Sequence, residues 1–398
     1  MIKVIIVQFK ILAKQFLFAK RCFSLFSWRG LLFYRDYVRY KGQMSETGHC
    51  GSSRERTLSY QGIRFSYHNS TSDVPLIKNI IVGRYVNGSW QRFHDIDIIG
   101  GLLEGGGITS LLHNKNKIEK SYGRVDESEK PFKLTIVAIA KNEANYISEW
   151  CAYHKLKGVE KIYLYENDST DNTRAVLKPY EEDGFVKCIE IHGKQKQIEA
   201  YNDAITRYGG EAKYMAFIDC DEFMLPMNER RTLLDEVESI FSQDENCGGI
   251  GLNWCLYGSS GHVEKPKGLV IENYLRRAPI EFEESSWIKS IVKPEMVETF
   301  VTPHHCIYKG GHYCINYNGD FIPSFWNIIT CYQGVRINHY FCKSRDEFVS
   351  RRSYGRADIK QIRPMSDFYK YDRNDIYDDQ ITKYVKDVKA IMLEYTKI

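Results

Sequence analysis

Leu134-Thr135-Ile136-Val137-Ala138-Ile139-Ala140 is an unbroken apolar, largely β-branched run that stops abruptly at Lys141-Asn142-Glu143. A strand covered on both faces reads this way, whereas a half-exposed strand alternates. Helix and strand patterns then take turns. Residues 145–156 predict a helix, with Ile147, Trp150, Cys151, His154 and Lys155 at helical spacing. A strand follows at 161–165, then a helix at 173–182 with Asp171 as its N-cap. Residues 185–191 predict a third strand, 195–208 a third helix and 214–218 a fourth strand ending at Asp219. Such alternation over about ninety residues specifies an α/β domain with a mainly parallel sheet flanked by helices.

The chain has 398 residues, 43% hydrophobic and 27% charged. That is the balance of a globular protein and excludes disordered, collagen-like and multi-span membrane classes. At this length, two or three domains are expected. Net charge is only +4, and no nucleic-acid partner is expected. The charge is unevenly spread, however. Eleven Lys and Arg against three acidic residues put +8 on residues 1–56, leaving −4 on the remainder. Residues 1–41 interleave Phe9, Leu12, Phe16, Phe23, Phe26 and Leu31 with Lys10, Lys14, Arg21 and Arg35. A basic amphipathic leader of this kind suits an anionic membrane surface; a helix packed on the rest of the protein is the alternative. No apolar run approaches the ~20 residues of a membrane span. The eleven cysteines are scattered without a CxxC pair, which fits free thiols in a reducing compartment. The expected location is cytoplasmic, peripheral at the inner face of the membrane.

Between leader and sheet, residues 57–113 read as a small β-rich accessory region, with strands at 58–67, 80–85 and 95–99. Residues 114–131 are polar and read as a linker. Leu102-Leu103-Glu104-Gly105-Gly106-Gly107-Ile108-Thr109-Ser110 faintly resembles the opening of a Rossmann-like methyltransferase. Too few residues follow to complete that fold, so a remnant or accessory subdomain is the reading. The sheet domain is expected over 132–345 and a helical segment over 346–398.

In open α/β sheets, ligands bind beyond the carboxyl ends of the strands. Three strand ends here are polar: Ala140-Lys141-Asn142-Glu143, Glu166-Asn167-Asp168-Ser169-Thr170-Asp171-Asn172-Thr173 and Asp219-Cys220-Asp221-Glu222. Three carboxylates crowded at the end of a buried strand repel one another unless a cation sits among them. Oxygen ligands suit Mg²⁺ or Mn²⁺. The alternative is one Asp capping the next helix while the others face water. His304-His305-Cys306 and His312-Tyr313-Cys314 match no tetrahedral zinc spacing. Trp254, Trp287 and Trp326 could stack on sugar rings, or simply fill the core.

These motifs, in this order and spacing, resemble the donor half of a GT-A glycosyltransferase of the family 2 and family 92-like groups. Gly251-Leu252-Asn253-Trp254, Gly258-Ser259-Ser260-Gly261-His262 and Ile337-Asn338-His339-Tyr340 followed by Lys343-Ser344 extend the resemblance over about 134–360. It implies a GT-A fold and a hexosyltransferase moving sugar from a nucleotide-sugar, UDP-linked, to a glycan or lipid-linked acceptor in cell-surface polysaccharide synthesis. It further implies inversion at the anomeric carbon. Ala140, Lys141, Asn142, Glu143 and Asp168 would meet base and ribose, and Gln197 and Asn202 would join the donor site. Asp219 and Asp221 would hold Mn²⁺ or Mg²⁺ against the diphosphate, with His339 completing the metal shell. The catalytic base stays unassigned among Glu264, Glu272, Glu295 and Glu298. Two other readings remain open: a sugar nucleotidyltransferase, although its Gly-rich loop after the first strand is missing, and a non-catalytic remnant that binds nucleotide or glycan.

Overall fold

The computed structural model describes residues 130–396, apart from 310–311, 323–324, 326, 328–329 and 353–363. It also describes the backbone of 54–60, 63–69, 81–86 and 89–94. The leader, the glycine-rich 102–110 segment, the strand expected at 95–99 and nearly all of the expected linker lie outside the described residues. The chain divides into two compact units, Met1–Ser121 and Tyr122–Ile398.

Among the described residues of the first unit are two antiparallel strand pairs. Arg54–Tyr60 pairs with Ile63–Asn69, and Ile81–Val86 pairs with Ser89–His94. The alternation at 58–67 therefore covers parts of two paired strands where one was expected.

In the second unit, β1 (Phe132–Ala140), α1 (Ile147–Leu156), β2 (Lys161–Glu166), α2 (Thr173–Glu182), β3 (Val186–Glu190), α3 (Gln197–Tyr208) and β4 (Ala212–Phe217) form the expected series. β4, β1, β2 and β3 lie side by side and parallel. Residues 134–140 are all buried. Ile136 and Ala138 pack with Trp150, Tyr153 and Leu177 on one face, while Val137 and Ile139 pack with Ala200, Tyr201 and Phe217 on the other. Each Ile, Val or Leu among these contributes roughly 1.5–3 kcal/mol on burial. Double coverage is thus the physical reason for the unbroken apolar run.

The chain then reverses. β5 (Glu222–Pro226), α4 (Leu233–Phe241), β6 (Cys247–Leu256) and β7 (Ile288–Val292) follow. β7 inserts antiparallel between β4 and β6. Further on, β8 (Val297–Phe300) pairs with β9 (Cys306–Tyr308), and β10 (Tyr313–Ile315) and β11 (Phe321–Ile322) extend the sheet beyond β6. β12 (Val335–His339) runs parallel to the end of β6 and antiparallel to β5, which sets His339 opposite both Leu256 and Glu222. The result is the expected mainly parallel α/β sheet, with β5, β7 and β11 running antiparallel to the rest, ten strands in all among the described residues.

α1 holds β5 in place through buried polar groups. Trp150 Nε1 donates to Glu222 O at 2.8 Å, and Tyr153 OH donates to Met224 O at 3.0 Å. After α5 (Arg345–Arg352) and α6 (Met365–Tyr371), the chain returns to the sheet domain. Asp378, buried, pairs with Arg336 at 3.0 Å and Arg277 at 2.7 Å. Tyr395, at the end of α7 (Val385–Tyr395), stacks on Tyr180 with centroids 3.9 Å apart. The C-terminal helices are thus part of the same unit. No described helix is long and apolar enough to cross a membrane.

Candidate active site

The first two polar strand ends are stitched to one another. The amides of Asn142, Glu143 and Ala144 donate to Ser169 Oγ (3.0 Å), Thr173 Oγ1 (2.8 Å) and Asp171 Oδ2 (3.1 Å). Asn142 Oδ1 accepts from the Thr170 amide at 2.7 Å. Asn142 and Asp168 both adopt left-handed backbone, φ 56° and 52°, a conformation that Asn and Asp tolerate better than most residues. Asp171 differs from its expected role. The N-cap position of α2 is Asn172, which makes no side-chain cap. Asp171 Oδ1 instead takes the Thr173 amide at 2.9 Å while its other oxygen takes Ala144. One carboxylate thereby serves both a helix start and a loop crossing.

Asp168 projects from this latch. Its carboxylate accepts from the Gly193 amide at 2.8 Å and meets His192 Nδ1 at 2.7 Å. These two contacts hold its carboxyl below the usual range, the Gly193 amide contributing most. Lys141 is exposed.

At the third strand end, each acidic residue has its own partner. Asp219 Oδ1 accepts from Gln197 Nε2 at 2.7 Å, and Asp219 Oδ2 lies 2.9 Å from Lys289 Nζ. Asp221 Oδ2 pairs with Arg351 Nη2 at 2.9 Å, and Asp221 Oδ1 faces His339 Nε2 at 3.5 Å. Glu222 is fully buried. Its Oε1 accepts from Trp254 Nε1 at 2.7 Å, and its Oε2 takes the Asp219 amide at 2.8 Å with Lys289 3.7 Å away.

The electrostatics follow from this arrangement. Burial opposes ionisation of Asp221, but Arg351 and then His339 outweigh it and hold the carboxyl well below its usual range. Burial pushes Glu222 well up, and the charges of Asp219 and Asp221 add to it, against Lys289. Lys289 is itself buried, yet Asp219 and Glu222 keep it firmly charged. Burial, reinforced by Arg351, draws the Lys343 ammonium down to about 8.

Of the sequence-predicted residues, the structure brings Gln197, Asp219, Asp221 and His339 together. Glu143 joins their edge, its Oε1 3.9 Å from Arg351 Nη2. Asn202 goes elsewhere: its side-chain amide spans the backbone N–H and C=O of Phe300 at 2.7 and 3.1 Å. Among the described residues, no group of three His, Cys, Asp or Glu is gathered to hold a metal ion. Asp221 Oδ1 and His339 Nε2, 3.5 Å apart, do place one carboxylate oxygen and one imidazole nitrogen side by side. That donor pair fits Mn²⁺ or Mg²⁺ when diphosphate oxygens complete the shell, whereas Asp219 is committed to Lys289 and Gln197.

Lys289 and Trp254 belong to this constellation without having been assigned a role there by the motif reading, which had Glu222 as one of three crowded carboxylates. Lys289 did carry a signal, as the one charged residue inside the otherwise uncharged strand Ile288-Lys289-Ser290-Ile291-Val292. Trp254 also stacks loosely on Trp287, centroids 5.9 Å apart, and lies 4.4 Å from the His339 ring. His304 Nδ1 and His312 Nδ1 face the carbonyls of Ile288 and Asn246 at 2.9 and 3.1 Å.

Similarity to known proteins bears on this site. A glycosyltransferase family 92 protein of Ricinus communis is 26% identical over 304 residues, 73% of this chain and 49% of that protein. A β-1,4-galactosyltransferase of Caenorhabditis elegans is 28% identical over 193 residues, 43% of this chain and 42% of that protein. The aligned part thus spans less than half of each relative. Among solved structures, the UDP complex of S. aureus TarS is 13% identical with a TM-score of 0.29, covering 42% of this chain and 48% of that one. Overlap at that level is too slight to bear on fold or ligand. Residues 136–389, which include every site residue above, match the model of glycosyltransferase family 92. The chain belongs to glycosyltransferase family 92.

Proposed function

We propose that this chain is a metal-dependent glycosyltransferase that moves a sugar from a UDP-linked donor to a hydroxyl of a glycan or lipid-linked acceptor. The observation that carries this reading is the convergence of Asp221 Oδ1 and His339 Nε2, 3.5 Å apart, in a family 92 chain. Asp168 and the latched loop at 140–143 receive base and ribose; a carboxylate accepts from ribose hydroxyls or a uracil N–H. Asp221 and His339 hold Mn²⁺ or Mg²⁺, and Gln197 and Lys289 fix Asp219 beside them, completing the Asp-x-Asp motif. When bound, the metal supplies positive charge against the diphosphate leaving group. Transfer inverts the anomeric centre, and the base on the acceptor hydroxyl comes from the acceptor half. The expected setting is cell-surface polysaccharide synthesis at a membrane face, with the basic leader as the contact.

The test is a screen of nucleotide-sugars for Mn²⁺-dependent hydrolysis and transfer. UDP-galactose comes first, because one relative is named a galactosyltransferase. Turnover of one UDP-sugar that stops in excess chelator is expected. No turnover of any nucleotide-sugar, together with no UDP binding by calorimetry, would overturn the reading.

A further inference from the structure

Two cationic nitrogens on the Arg351 side of Asp221 lack hydrogen-bond partners, with one carboxylate oxygen there, Glu347 Oε1, also without one. Arg351 gives Nη2 to Asp221, but its Nη1 is buried and has no hydrogen-bond partner. Lys343 Nζ is likewise buried without a hydrogen-bond partner, and its neighbour is the face of Tyr146, 3.7 Å to the centroid. Among the described residues, no carboxylate comes within ion-pair distance of Lys343. His339 Nδ1 also lacks a hydrogen-bond partner, although Glu222 Oε1 lies 3.9 Å away. A buried cationic donor without an acceptor is costly, and natural chains rarely keep one without use.

Lys343 and Arg351 sit on one continuous piece of chain. β12 ends at His339, and Lys343 follows in left-handed backbone at φ 50°. Ser344 and Glu347 then exchange capping hydrogen bonds at 3.1 and 3.3 Å that start α5. Arg351 lies two turns along α5, on the side facing Asp221 and Glu143. A strand end and a capped helix therefore fix both cations relative to His339. A guanidinium with one free nitrogen and an ammonium with three donors suit a ligand rich in anionic oxygens.

We propose that Lys343 and Arg351 are the pair that binds the donor diphosphate, with Arg351 turning from Asp221 Oδ2 to a phosphate oxygen when the nucleotide enters. The exchange satisfies Nη1 and Nζ and frees a carboxylate oxygen of Asp221. This inference rests on the nucleotide-sugar reading above and adds to it the residues that discriminate diphosphate from monophosphate.

The experiment is calorimetric titration of the full chain with UDP and UMP at fixed salt and Mn²⁺, for wild type, Arg351→Met, Arg351→Lys and Lys343→Met. Thermal melts establish that each variant is folded. The wild type is expected to prefer UDP over UMP at least tenfold, and Arg351→Met to lose most of that preference. Arg351→Lys should retain part of it, and Lys343→Met should lose several-fold if folded. An unchanged UDP-to-UMP ratio in folded Arg351→Met would overturn the diphosphate pair and leave the enzyme reading standing. Wild-type protein that binds no UDP would overturn both.

Discussion

Lys289 Nζ stands 2.9 Å from Asp219 Oδ2 and 3.7 Å from Glu222 Oε2, in the interior of β7 and almost wholly shielded from water. A lysine in mid-strand is unfavourable alone, and so is a pair of carboxylates at a strand end. Placed together, they offset one another.

Lys289→Met leaves the buried Glu222 and the half-buried Asp219 without their cation. Removing one partner of a buried ion pair costs about 3–5 kcal/mol. Urea unfolding should show a loss of that order, and adding Glu222→Gln should recover part of it. A double-mutant cycle with no coupling would separate Lys289 from Glu222.

Asp221→Asn removes the charge between Arg351 and His339 with little change of shape. Turnover of the donor sugar should fall at least about a hundredfold, the scale for losing a group that stabilises a leaving charge. Full turnover in this variant would eliminate Asp221 as the metal-holding carboxylate. Steady-state kinetics with and without chelator read the effect.

Gln197 and Asn202 share α3 but have different expected phenotypes. Gln197→Ala releases Asp219 from its 2.7 Å hydrogen bond and should raise the donor KM several-fold. Asn202→Ala cuts the links to Phe300 and should cost about 1–3 kcal/mol of stability with the donor KM unchanged. A raised donor KM in a stable Asn202→Ala protein would place that residue back in the donor site.

Glu149 supplies a pH dependence. Its two oxygens accept the amides of Val270 and Ile271 at 2.8 and 3.0 Å, yet burial outweighs them and lifts its carboxyl to about 7. The folded form therefore holds this proton more tightly than the unfolded chain, from an ordinary value of 4.5. The contribution to stability is complete below pH 4.5 and is lost as pH rises through 7. Glu149→Gln abolishes the titration. Relative to wild type, the variant should gain about 3 kcal/mol between pH 4 and pH 8, at 1.36 kcal/mol per pH unit. Urea melts at several pH values would show it, and parallel curves for the two proteins would rule the titration out.

The α/β series was legible because β1 is buried on both faces and its neighbours carry clear helical and strand periods. Element ends in this series agree to within two residues; β4, for example, runs Ala212–Phe217 where 214–218 was expected. Asp171 was visible as a capping residue, but not as the tie to Ala144, since that contact joins two loops.

Sequence by itself determined which strand ends are polar, that the acidic cluster sits at one of them, and that His339 lies in a motif of its own. Only the tertiary structure decided what neutralises those acids. Lys289 and Arg351 come from β7 and α5, and nothing local in either segment names a partner. The antiparallel insertion of β7 beside β4 brings Lys289 to Asp219, and the pairing of β12 with β5 brings His339 to Glu222 and Asp221. Local pattern reports which residues are buried. Charge compensation depends on which strands become neighbours, and the closure of the whole sheet sets that.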